Sequence, residues 1–159
     1  ELRFEGMKEE VYNFRFTSRQ AVRYEFESVS EKKVVNKIVE YVLLDKELSL
    51  YNLSLLDAFE DGVSDESISN NNDMPKILAT VYHTMLHFFN SIPHAIVIFE
   101  GSTASRTRLY RIAITKAKSD IDHKIRILGL INGEFEDFRK DRNYTSFLIQ
   151  PVNNAENES

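Results

Sequence analysis

The chain reads as a single α+β domain: a mainly antiparallel sheet with two principal helices packed on it. Three observations carry that expectation. The first half alternates apolar and polar residues with the period of a strand, while two later segments repeat their apolar residues with the period of a helix. Strands come first and helices are mixed with strands afterwards, without the regular alternation of a parallel α/β fold. The length, 159 residues with 42% hydrophobic side chains, suits one domain with a real core.

Val11 to Thr17 sets Tyr12, Phe14 and Phe16 against Asn13 and Arg15, a half-buried strand. Val22, Tyr24 and Phe26 repeat the pattern against Arg23, Glu25 and Glu27. Ser18-Arg19-Gln20 between them is short enough only for a turn, so the two are expected to pair as a hairpin. Val34 to Leu44, rich in β-branched residues, makes a third strand. Leu48 to Leu56 makes a fourth, with Leu48, Leu50, Asn52, Ser54 and Leu56 on one face and Tyr51, Leu53 and Leu55 on the other, and Asp45-Lys46-Glu47 connects the two. This half is an antiparallel meander.

Asp57 to Asp73 is acidic, contains Gly62 and Asn70-Asn71-Asn72, and reads as a mobile, solvated connector. Its acids lack the fixed register of a calcium-binding EF-hand. Asp73 can cap a helix, and Pro75 sits in the first turn, where its missing N–H costs nothing. Ile77, Leu78, Val81, Met85, Phe88, Phe89 and Ile92 form its wide apolar face, and Asn90-Ser91 and Pro93 end it. If the sheet cannot cover that whole face, a homodimer is the expected remainder.

Ala95 to Phe99 is a buried strand. A second helix spans Ala104 to Ile121, with Leu109, Ala113, Ala117 and Ile121 stacked at intervals of four and Tyr110 and Ile114 widening the stripe. Lys124 to Ile131 is a strand, Asn132-Gly133 a two-residue hairpin turn, and Glu134 to Phe138 its return. Asn143 to Gln150 is one more short element, strand or helix. The domain is expected to run over residues 11–150, with 151–159 a disordered tail. Residues 1–10 form an N-terminal segment, in which Met7 reads as a natural start and Glu1 to Gly6 as a remnant of expression.

Bulk properties narrow the function. A net charge of −5 argues against a general nucleic-acid or membrane-surface binder. The absence of cysteine removes disulfides, thiolate metal sites and a cysteine nucleophile. No apolar run is long enough to cross a bilayer and no leader-like h-region opens the chain, so no membrane partner is expected, and a chain without disulfides fits a reducing compartment.

The feature richest in chemistry is the turn Gly101-Ser102-Thr103 with Arg106, Arg108, Tyr110 and Arg111 behind it. A strand that ends in such a turn and opens a helix leaves backbone N–H groups without intrahelical acceptors, at the positive end of the helix dipole. Anions bind at such places. Gly101 frees the backbone, Ser102 or Thr103 caps the helix, and cations near the start of a helix call for an answering anion. That anion is either a phosphate-bearing ligand or an internal carboxylate, from Glu100 or the acidic connector. Tyr110 can stack on a base or simply lie half-buried on the helix shoulder. The segment is neither a P-loop nor a dinucleotide fingerprint, since the required glycines are missing.

His83 and His87, four apart on the first helix, have a metal-ligand spacing but no third ligand and no accompanying His-Glu-x-x-His pattern, so no metal and no cofactor are assigned. No Gly-x-Ser-x-Gly elbow is present, and no catalytic residue is assigned. The leading expectation is therefore a small binding protein whose anion pocket takes a phosphate, nucleotide or RNA end. One alternative is a protein–protein module of a toxin–antitoxin or defence pair, in which the acidic connector and the arginines meet the partner. The other is a metal-independent RNA-cleaving enzyme, with His83, His87, His94 and Tyr110 as its acid–base candidates.

Leu78-Ala79-Thr80-Val81-Tyr82, the run Gly101-Ser102-Thr103-x-x-Arg106-Thr107-Arg108-Leu109-Tyr110-Arg111 and Gly129-Leu130-Ile131-Asn132-Gly133 together resemble a family of small bacterial proteins, mainly from Bacteroidetes, that form a domain of unknown function. The resemblance covers about Tyr12 to Ile149. It implies a bacterial, cytoplasmic, single-domain protein and carries no catalytic residue with it.

Overall fold

The structure, a computed structural model, describes residues 10–16, 22–31, 33–59, 62–64 and 73–152. Among them the chain runs β1 (Arg15–Phe16), β2 (Val22–Val29), β3 (Val34–Asp45), β4 (Leu50–Phe59), β5 (Gly62–Ser64), α1 (Met74–Ser91), β6 (Ile96–Phe99), α2 (Ala104–Ile121), β7 (Ile125–Ile131), β8 (Glu134–Asp137) and β9 (Ser146–Pro151). The described strands form one sheet in the order β1-β2-β3-β4-β6-β9-β7-β8, with β5 paired to β4. Every pairing is antiparallel except β4 with β6. The α+β class and the mostly antiparallel sheet are as the sequence implies.

Cross-strand register places Tyr24 opposite Val39, Tyr41 opposite Leu53, Leu53 opposite Phe99, Phe99 opposite Phe147, and Ile149 opposite Ile127. These side chains share one face and are buried. Helix α1 meets the face through aromatic rings. Phe88 stacks on Tyr41 with centroids 4.2 Å apart, Tyr51 meets Phe88 edge-on, and His87 meets Tyr24 edge-on. From α2, the Tyr110 ring stacks on Phe99 at 4.6 Å.

Several local expectations change. Among the described residues of the first expected strand, Arg15–Phe16 pair with β2, while Tyr12 turns to α1 and donates its backbone N–H to Thr80 Oγ1. Ser18-Arg19-Gln20 lies outside the described residues. β4 begins at Leu50 rather than Leu48, because the hairpin tip needs Ser49 at φ +54° and is held by Leu48 N–H on Asp45 Oδ1. The connector expected from Asp57 onward is in part sheet: β4 continues to Phe59 and β5 folds back on it, while residues 65–72 lie outside the described residues. Asp57 is buried and pairs with Lys37, directly opposite on β3. Asp73 stands at the N-cap of α1 without capping it, because its carboxylate accepts instead from Tyr12 and Ser28.

Asn132 and Gly133 both adopt positive φ, +53° and +78°, as their two-residue hairpin requires. The ambiguous segment near Asn143 resolves into strand β9, which lies between β6 and β7 and buries Phe147 and Ile149 in the core. The expected tail lies outside the described residues from 153 onward. No helix among the described residues is long and apolar enough to cross a membrane.

Candidate functional site

β6 ends at Phe99, opposite Leu53 of β4, and the chain turns at Gly101 to start α2. β4 continues past this point, so its backbone forms the far wall of a notch at the end of β6. A Cβ on Gly101 would lie 2.5 Å from the Thr107 backbone nitrogen and 2.6 Å from Arg106 Cβ, so the turn closes this tightly only with glycine. Thr103 is the N-cap, and its hydroxyl accepts from Arg106 N–H at 3.1 Å. Thr107 ties the turn to the helix: its hydroxyl accepts from Gly101 N–H at 3.0 Å and donates to Thr103 C=O at 3.2 Å. The amides of Ala104 and Ser105, ahead of the capped one, have no carbonyl within the helix to donate to.

The notch holds a small polar pocket of about 130 Å³. Gly101, Ser102, Arg106 and Tyr110 line it, four of the seven residues singled out from sequence. Arg106 lines the pocket and is only 8% exposed. The other three residues fall elsewhere. Thr103 serves as the cap, Arg108 points to solvent, and Arg111 donates to Asn143 Oδ1 at 2.8 Å. The spacing of Arg108 and Arg111 on one helix face therefore does not bring them to the pocket.

Sequence reading missed the opposite wall, Asn52 and Ser54 of β4. Their side chains bond to each other, Nδ2 to Oγ at 3.0 Å. The available signal was two polar residues interrupting a leucine-rich strand. Glu100 lines the rim and is exposed.

The histidines lie away from this pocket. His83 is buried in α1, and burial pushes its imidazole down to about 4. His87 shares a 2.6 Å hydrogen bond between Nδ1 and the Tyr24 hydroxyl. Lys76, Thr80, His83 and His87 follow one another along α1. Lys76 lies over the Tyr12 ring and Thr80 receives the Tyr12 N–H, so this side of the helix meets the N-terminal segment. Among the described residues no group of three His, Asp or Glu side chains is placed to hold a metal ion. Tyr110 is the one acid–base candidate that reaches the pocket, and it is almost fully buried there.

Fold and site together define an α+β protein with a polar notch where a strand beside the middle of its sheet turns into a helix. The chain belongs to a family of unknown function (DUF6934), whose sequence pattern matches residues 8–152 and so takes in every described strand and both helices. No curated protein and no solved structure matches it.

Proposed function

We propose that the protein is a small binding protein that holds the anionic group of a phosphate-bearing ligand in the notch at Gly101. One observation carries this reading: a nearly buried arginine, Arg106, lines a polar pocket at the N-terminal end of an 18-residue helix. Helix amides and a desolvated guanidinium both favour negative charge, and water screens them less inside a notch than on a surface. The volume, about 130 Å³, is below the about 300 Å³ at which sites for whole small ligands begin, which suits a phosphoryl group rather than an entire nucleotide. The remainder of a nucleotide or RNA end would lie outside, over exposed Ser102 and Arg108. The rim carboxylate of Glu100 opposes the anion and limits affinity. On this reading the two helices cover one face of the sheet, and the protein works in a bacterial cytoplasm, where phosphate-bearing ligands abound.

Thermal unfolding against inorganic phosphate, sulfate, nucleotides and short RNA tests the reading. A ligand that binds only the folded chain raises the melting temperature with concentration. The shift should vanish in Arg106→Gln, persist in Arg108→Ala, and grow in Glu100→Gln. No shift with any of these anions, or a shift untouched by Arg106→Gln, overturns the proposal.

A further inference from the structure

The stripe of α2 that its periodicity marks as core does not meet a filled core. Leu109 remains 44% exposed, Ala113, Ile114 and Ala117 are only half-buried, and only Tyr110 and Ile121 are fully packed. The stripe instead lines one side of a cleft of about 390 Å³ that is partly open to solvent. Leu78, Val81 and Met85 of α1 form the opposite side, and Ile127 and Ile149 of the sheet form the floor. Clefts that hold small ligands begin near about 300 Å³ and are lined mainly by apolar side chains with a few polar groups.

The lining specifies the guest. Lys116 and Asp120 are the only charged residues among those that line the cavity, and neither takes part in an ion pair among the described residues. Their opposite charges cancel at a distance, so the cavity selects neither an anion nor a cation. Close by, the ammonium offers hydrogen-bond donors and the carboxylate offers acceptors. The Tyr82 hydroxyl, on a residue of the same lining, is buried with no hydrogen-bond partner among the described residues. We propose that the cavity between α1 and α2 is a binding site for a neutral amphiphile: an apolar body of about ten carbons with a hydroxyl or carbonyl head at Lys116 and Asp120. The proposal uses a different site from the anion pocket and does not depend on it, although the Tyr110 side chain contributes to both.

The test is calorimetric titration of the full chain with 1-decanol, decanoate and decylamine at neutral pH. Decanol should bind saturably and at least tenfold more tightly than either charged analogue. Ala117→Trp fills the cavity from the α2 side and should abolish decanol binding; Ala113→Leu, a smaller change on the same wall, should weaken it at least tenfold. Both variants are read beside their melting temperatures, which cavity filling should hold or raise. Decanol binding that does not saturate, that survives both substitutions in folded protein, or that is matched by decanoate or decylamine overturns the proposal. So does sedimentation showing a dimer that Ala117→Trp dissociates and decanol leaves intact, since a second copy would then occupy the cavity.

Discussion

Lys37 and Asp57 stand directly opposite each other on β3 and β4, on the buried face of the sheet, and form an ion pair with each side chain only 4% exposed. Two charges removed from water hold each other in place, and losing one leaves the other stranded. Lys37→Met should therefore destabilise the fold by about 3–5 kcal/mol. Lys37→Met with Asp57→Leu should recover most of that loss, since a well-packed apolar pair is often no worse than a buried ionic one. Urea unfolding of the two variants decides it. Equal destabilisation by the single and double changes would mean that the pair is not what the site needs.

His83 couples stability to pH. Burial lowers its folded-state pKa from 6.5 to about 4. Between these values the unfolded chain binds the proton and the folded chain does not, so stability falls as pH drops from 6.5 towards 4. Above pH 6.5 the group contributes no slope. The expected loss across that window is roughly 3 kcal/mol, at about 1.4 kcal/mol for each unit of difference. Denaturant unfolding at pH 7, 5.5 and 4.5 should show it, and His83→Gln should flatten the dependence while leaving the part due to carboxylates.

Gly129 is required by packing rather than by its backbone angles. A Cβ there would come within 2.3–2.5 Å of the Tyr144 ring. That ring is buried, and its hydroxyl accepts from Arg139 N–H at 3.0 Å, so it has little room to withdraw. Gly129→Ala should cost at least about 2 kcal/mol as an overpacking change. Gly133 has open space around it but φ +78°, and Gly133→Ala should cost about 1–2 kcal/mol through backbone strain alone. Only the first change should also alter the near-ultraviolet dichroism of the aromatic cluster around Tyr144.

Thr107 holds the notch closed. Thr107→Val keeps the shape of the side chain and removes the hydroxyl that serves Gly101 N–H and Thr103 C=O. A loss of about 1–3 kcal/mol is expected, because the Gly101 donor then has no partner in a half-buried turn. Amide hydrogen exchange at Gly101 should accelerate in this variant. The exchange of the Asn132–Gly133 hairpin, far along the chain, should not change.

Much of the fold is legible because neighbouring residues write it. Alternation over Val22 to Phe26 and again over Tyr51 to Leu55 identifies strands, and in the first of them the side chains of Tyr24 and Phe26 are the buried face; in the second, leucines on both faces leave the buried one to the tertiary structure. The four-residue interval from Leu109 to Ile121 marks α2 with the ends it has in the structure. The polar notch is legible in part for the same reason: Gly101, Ser102 and Arg106 lie within six positions of one another. Asn52 and Ser54 come from a strand nearly fifty residues earlier, and only pairing between β4 and β6 brings them alongside.

By itself the sequence determined the element types, the sharp turns at Gly101 and Asn132-Gly133, and the mostly antiparallel character of the sheet. These depend on the periods of strand and helix and on which residues tolerate unusual backbone angles. Tertiary structure decided what each face meets. It placed β9 between β6 and β7 and turned Asp57 inward to Lys37. It drew the Asp73 carboxylate away from its helix to Tyr12 and Ser28, and left the apolar stripe of α2 facing a cavity. Each of these outcomes is a contact between distant parts of the chain. A periodic pattern states that a face is apolar, but only the packed partners determine whether that face is filled.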